Sequence, residues 1–337
     1  MKRIGFLSFG HWSPVQGSVV RSAADALQQT IEIAQAAEDV GADGAFVRVH
    51  HFAPQLASPF PLLAAIGSRT SRIEIGTAVI DMRYENPLYA AESAAAADLI
   101  AGGRLQLGIS RGSPETADKG YEAFGFLPGE DESDADMARN HTELFRAAIA
   151  GAGLVYSNPE MTGQRVPLAI EPRSETLPER IWWGAGSRGT AVWAAEQGMN
   201  LMSSTLLTED TGVPLAELQA EQLRLYREAW TKAGHEREPR VSVSRSILPI
   251  IDDDTRRYFG LRAQADAHDQ VGYIGDELAR FGRSYIGEPD VIAEELARDA
   301  AVQNADTILV AVPNQLGVDF NARVLESIVR DIKPALG

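Results

Sequence analysis

Eight short apolar runs, each followed by a stretch with helical spacing, constrain this chain more than any other feature. They cover residues 4–8, 44–49, 73–78, 105–110, 181–184, 200–203, 241–247 and 307–312. The runs are apolar throughout rather than alternating, as strands buried on both faces must be, and their alternation with helices is the pattern of βαβ units on a parallel sheet. An open doubly wound sheet would place a Gly-x-Gly-x-x-Gly turn after its first strand, whereas strand one here runs into Gly10-His11-Trp12. Eight units within 337 residues therefore predict closure: an α/β fold, a (β/α)8 TIM barrel spanning 1–337 as a single domain.

The helices carry start and stop signals. Leu27, Ile31 and Ala34 recur at helical spacing and are expected to share a core face, with Gly41 ending that helix. Asn86 is placed to cap a helix whose first residue is Pro87, and Gly102-Gly103 closes it. Pro289 opens a late helix with Ile292 and Leu296 on one face. Two insertions are expected, 113–136 after strand four and 252–288 after strand seven, with an extended piece at 166–170. Long loops on this side of a barrel form lids and substrate walls, and 252–288 is the expected lid.

Charge and composition exclude several classes. A net charge of -16 repels nucleic acid and anionic lipid, and the only lysines are Lys2, Lys119, Lys232 and Lys333, with no basic patch. None of them ends a strand, which disfavours Schiff-base chemistry. The absence of cysteine removes disulfides, thiolate nucleophiles and Cys-ligated metals. The apolar run after Met1-Lys2-Arg3 is too short for a secretion signal, and none approaches the ~20 residues needed to cross a bilayer. A cytoplasmic protein without nucleic-acid or membrane partners is expected.

In a barrel the chemistry sits where strands end. Strand five leads into Gly184-Ala185-Gly186-Ser187-Arg188-Gly189-Thr190. Small residues there let a ligand approach, a helix start offers N–H groups to an anion, and Ser187 and Thr190 add hydroxyls one turn apart. Arg111 ends an apolar strand, where a guanidinium needs an anionic partner: either a bound phosphate or a carboxylate such as Glu171 or Asp81. His50-His51 ends strand two; neighbours on a strand face opposite ways, so a metal site is not expected. One ring is instead expected to face the ligand. Trp12, Phe52, Phe60 and Tyr84 are candidate walls of an apolar substrate pocket.

Four motifs in order resemble the bacterial-luciferase-like family of flavin-dependent monooxygenases and oxidoreductases. They are His50-His51-Phe52, Ile75-Gly76-Thr77-Ala78, the stretch from Asn86-Pro87-Leu88 through Gly102-Gly103-Arg104 to Ser110-Arg111-Gly112, and Gly184 to Thr190 with Trp193. The resemblance implies that Arg111, Gly186, Ser187 and Thr190 contact a flavin phosphate. It also implies that Ala78 lies against the flavin ring after a non-proline cis bond at Thr77–Ala78, and that His50 is the catalytic histidine. Ser110 stands where luciferase itself has a reactive cysteine, which argues against light emission. The implied activity is oxygenation of a small organic substrate with reduced FMN and O2, supported by a separate flavin reductase, in a homodimer. F420-dependent hydride transfer and flavin binding without turnover are the alternatives. The acidic composition favours FMN, because the polyanionic tail of F420 would call for further cations.

Overall fold

The apolar runs become Arg3–Ser8 (β1), Gly44–Val47 (β2), Glu74–Asp81 (β3), Leu105–Ser110 (β4), Ile181–Ala185 (β5), Asn200–Ser203 (β6), Val241–Pro249 (β7) and Thr307–Ala311 (β8). The computed structural model describes residues 2–112, 115–209, 211–274 and 277–337. Each strand pairs in parallel with the next, and β8 returns to β1. The ring is a closed (β/α)8 barrel. Outside it lie Ala23–Asp39 (α1), Pro59–Arg69 (α2), Pro87–Ile100 (α3), Asp134–Ile149 (α4), Arg188–Glu196 (α5), Leu215–Ala233 (α6), Pro289–Ala297 (α7) and Val318–Ser327 (α8).

The expected caps are present. The Asn86 side chain accepts from the N–H groups of Leu88 and Tyr89, and Gly41 leaves α1 at φ +86° with Ala42 N–H donating to Ala37 O at 2.9 Å. The face of α1 differs from expectation. Ala26, Ile33, Ala34 and Ala37 are buried, while Leu27 is 42% exposed. Alanines let the helix pack closely on the barrel, and that contact rotates the larger Leu27 outward.

The barrel interior is filled in layers. At the amino ends of the strands, Arg240 makes a two-pronged bond to Glu74 at 2.9 Å on each side, and Arg3 binds the same carboxylate. Trp182 stacks beneath the Arg240 guanidinium, 5.0 Å away, and donates its ring N–H to Gln106 at 2.8 Å. Above this polar plug Leu7, Phe46, Trp182, Met202 and Leu309 form an apolar plug, capped by Phe9, Ala78 and Val79.

Strand β3 runs three residues further than expected, through a register shift between Thr77 and Ile80. The non-proline cis bond falls at Ala78–Val79 rather than Thr77–Ala78. Thr77 still belongs to the regular ladder, paired with Leu107 and donating its hydroxyl to Gly108 O at 2.7 Å, so the irregularity begins one residue later. Gly108 is required opposite it: a Cβ there would lie 2.2 Å from Thr77 O.

Both insertions are present, although Ser113 and Pro114, which open the first, lie outside the described residues. The piece at 166–170 contributes Pro167–Leu168 to a small ladder with Val155–Tyr156. After β7, Gln270–Ile274 and Glu277–Phe281 form a hairpin whose second strand pairs with Leu206–Leu207. The expected lid segment is thus attached to the loop following β6. Among the described residues no helix is long and apolar enough to cross a membrane.

Candidate active site

Over the carboxyl ends of the strands a cavity of about 250 Å³ opens, with the cap residues Phe9, Ala78 and Val79 in its floor. Of the residues singled out in the sequence, Ala78, Ser110, Arg111, Gly186, Ser187 and Thr190 all line it. Two strand ends therefore deliver a guanidinium and a hydroxyl-bearing turn to one space. Ser187 is the N-cap of α5; its hydroxyl accepts from Thr190 N–H at 3.3 Å and lies 2.8 Å from the Thr190 hydroxyl. The turn is held from behind by Thr208, whose N–H and hydroxyl both donate to Gly186 O at 2.9 and 3.2 Å. At the end of the neighbouring strand Ser110 accepts from Gly112 N–H at 3.1 Å.

Arg111 is half-buried, and no hydrogen bond or ion pair engages its guanidinium among the described residues. The carboxylate that could have neutralised it, Asp81, is occupied: Arg83 binds it through Nε and Nη2, at 2.6 Å for the latter, and reaches Asp134 with Nη1. An unengaged guanidinium in a partly desolvated wall attracts an anion, and phosphate matches its fork. The residues present thus fit a phosphate-bearing cofactor: one fixed cation, two hydroxyls, and a glycine turn at a helix start.

His50 is not among the lining residues. It lies beyond the end of β2, two residues past Arg48, with Nδ1 2.7 Å from a Glu115 carboxylate that is 4% exposed. A carboxylate can only accept, so Nδ1 carries the hydrogen in this contact and the orientation of the ring is fixed, leaving Nε2 as its other polar atom. His51 turns away and stacks on Tyr84 at 4.2 Å, edge-on to Phe124. Burial lowers its pKa against the opposing charges of Glu115 and Asp81. His11, stacked on Phe9, is also held low, by burial and then by the positive charges of His50 and Arg48. Among the described residues no cluster could hold a metal ion.

The expected aromatic walls are not there. Tyr84 is engaged by His51, Phe52 is 57% exposed, and Trp12 and Phe60 pack against the outer core. The cavity wall comes instead from Phe9, Met202, Leu206 and Leu309. Sequence reasoning also missed Arg48, which lines the cavity. The signal was present: like Arg111, it follows an apolar strand. Glu115 gave no signal, since it meets His50 from a loop 65 residues away.

Fold and cavity define a (β/α)8-barrel protein with a cavity at the carboxyl ends of its strands, into whose wall Arg48 and Arg111 both reach. The chain belongs to the luciferase-like monooxygenase family, whose model matches residues 1–306. It is 25% identical to the alkanal monooxygenase alpha chain of the Kryptophanaron alfredi symbiont, over 63% of this chain and 56% of that one. It is 26% identical to the oxygenase component of the flavin-dependent trigonelline monooxygenase of Acinetobacter baylyi, over 55% and 50% of the two chains. The chain spans between 56% and 59% of the length of the first curated relatives it matches. Among solved structures, the oxygenating constituent of 3,6-diketocamphane monooxygenase from Pseudomonas putida, in complex with FMN, superposes with a TM-score of 0.72 at 17% identity, covering 99% of this chain and 98% of that one. The F420-dependent tetrahydromethanopterin reductase of Methanopyrus kandleri gives 0.68 at 15% identity, covering 100% and 99%.

Proposed function

We propose that the protein is a flavin-dependent monooxygenase that binds reduced FMN and inserts one atom of O2 into a small organic substrate. The carrying observation is the convergence of an unengaged Arg111 with the Ser187 and Thr190 hydroxyls on one cavity. Arg111, Ser187, Thr190 and the Gly186 turn would hold the FMN phosphate, and Ala78 with Val79 would support the ring. When bound, reduced FMN supplies the electrons that activate oxygen. The chain's own residues would bind, orient and exclude water: Phe9, Met202 and Leu309 give an apolar floor, and Leu206, paired with the hairpin after β7, adds an apolar wall. His50, with Nδ1 fixed on Glu115, would hold or accept a proton at Nε2. That a relative is an oxygenase component supports delivery of reduced flavin by a separate reductase.

The test is titration of the purified protein with FMN, riboflavin and F420, followed by oxygen uptake with a supplied NAD(P)H:flavin reductase and candidate substrates. FMN is expected to bind more tightly than riboflavin, through its phosphate. Preferential binding of F420, or no discrimination between FMN and riboflavin, would overturn the reading.

A further inference from the structure

Arg48 is a second cation in the cavity wall that the phosphate site does not use. Its backbone is fixed to β1 by a 2.9 Å bond from its N–H to Ser8 O, and its guanidinium lies over the Phe9 ring at 5.1 Å. No hydrogen bond or ion pair engages that guanidinium among the described residues, and the nearby Glu115 carboxylate is held by His50. Burial pulls its pKa down, with Glu115 opposing. Elsewhere in the barrel a buried arginine is fully engaged: Arg245 binds Asp299, Gln219 and Ser244 O.

The surroundings of the two free guanidinium groups differ. Arg111 shares its side with hydroxyls and a helix start, which suit a dianion. Arg48 lies over Phe9, which packs against the apolar plug that holds Leu7 and Leu309. A single planar fork over an apolar, aromatic floor suits a planar monoanion joined to an apolar body. Strand order places the two on either side of β3, Arg48 following β2 and Arg111 following β4, so two anionic groups can be held at once.

We propose that Arg48 binds a carboxylate of the substrate, making this protein selective for organic acids whose carbon skeleton lies on the Leu7–Leu309 floor. The proposal rests on the flavin phosphate occupying the Arg111 side. The probes are benzoate and octanoate against benzamide and octanamide, titrated calorimetrically into FMN-loaded wild type, Arg48→Met and Arg111→Ala, and into the apoproteins. Wild type should prefer each acid over its amide by about tenfold or more, and Arg48→Met should reduce that preference below about twofold with FMN affinity unchanged. Equal binding of acid and amide by wild type, or no acid binding up to about 10 mM, overturns the proposal. So does an Arg48→Met variant that keeps the preference or loses FMN affinity by about tenfold, which would assign the cation to the flavin. Failure of wild type to bind FMN sinks the flavin reading alone, and the apoprotein titrations then still decide Arg48.

Discussion

Replacing Arg111 with methionine removes the guanidinium of the proposed phosphate site and little else. Among the described residues the guanidinium makes no ion pair, so its removal strands no close carboxylate, and methionine retains much of the aliphatic stem. The folded state should lose almost nothing, with a shift of about 2 °C or less in melting temperature. The ligand should lose a charge-assisted hydrogen bond, which contributes ~1.5–3 kcal/mol. The site is half-buried rather than sealed, so ~2 kcal/mol is the expected loss, or about 30-fold in Kd. Riboflavin, which lacks the phosphate, supplies the control: its affinity should stay within about twofold, so discrimination between the two ligands collapses. Ser187→Ala should cost less, ~1 kcal/mol, and the double variant should lose less than the sum because both side chains meet the same dianion. Quenching of flavin fluorescence on binding measures all of these. A Kd for FMN that moves by less than about threefold, or equal losses for FMN and riboflavin, would refute the assignment.

Three further outcomes follow from the geometry. His50→Ala and Glu115→Gln should each slow substrate-dependent oxidation of reduced flavin by ~10–100-fold, with FMN affinity nearly intact, because the carboxylate fixes the ring tautomer; unchanged turnover in either variant removes that residue from the chemistry. Burial, helped by the charge of Asp81, raises the Glu85 carboxyl to about 7. The folded state therefore holds this proton more tightly than the unfolded chain. The associated stability is complete below the ordinary carboxylate range and is lost as pH rises through 7, by on the order of 3 kcal/mol. Glu85→Gln should flatten the melting temperature between about pH 4 and about pH 8, the range that brackets both values, and curves that stay parallel to wild type would exclude the effect. Asp299→Ala should destabilise by ~3–5 kcal/mol in denaturant unfolding, since Asp299 is the carboxylate partner of the fully buried Arg245 and caps the helix that follows it; a loss under about 1 kcal/mol would show that the guanidinium finds another partner.

The barrel was legible because burial on both faces leaves a run with no alternation, a constraint that acts within five or six residues. Caps were legible for the same reason: Asn86-Pro87 and Gly41 act on the neighbouring turn. That Arg111 and Ser187 line one cavity was legible because each follows the end of an apolar strand, and closure brings those ends together. What failed was set by contacts far apart in the chain. The partner of Asp81 is Arg83, two residues on, but its remaining prong is held by Asp134 from the insertion. Tyr84 is removed from the cavity by stacking on His51, a contact decided by side-chain directions after the strand has ended. Glu115 arrives from a loop whose position no local pattern encodes.

The distribution of paired and unpaired arginines carries its own argument. The chain has 47 carboxylates against 31 lysines and arginines, so a half-buried guanidinium without an ion partner does not arise from a shortage of acid. At the amino ends of the strands, Arg240 and Arg3 share Glu74, and in the helix layer Arg180 grips Asp98. These pairs neutralise each other and leave a surface with no appetite for a ligand. At the carboxyl ends Asp81 is bound by Arg83 and Glu115 by His50, so these two carboxylates are engaged by other partners where Arg111 and Arg48 line the cavity. Packing alone gives no reason to satisfy the acids and leave the two cations. The anionic ligands proposed above would supply one, because two cations in the wall of one cavity would offset the repulsion of an otherwise acidic protein.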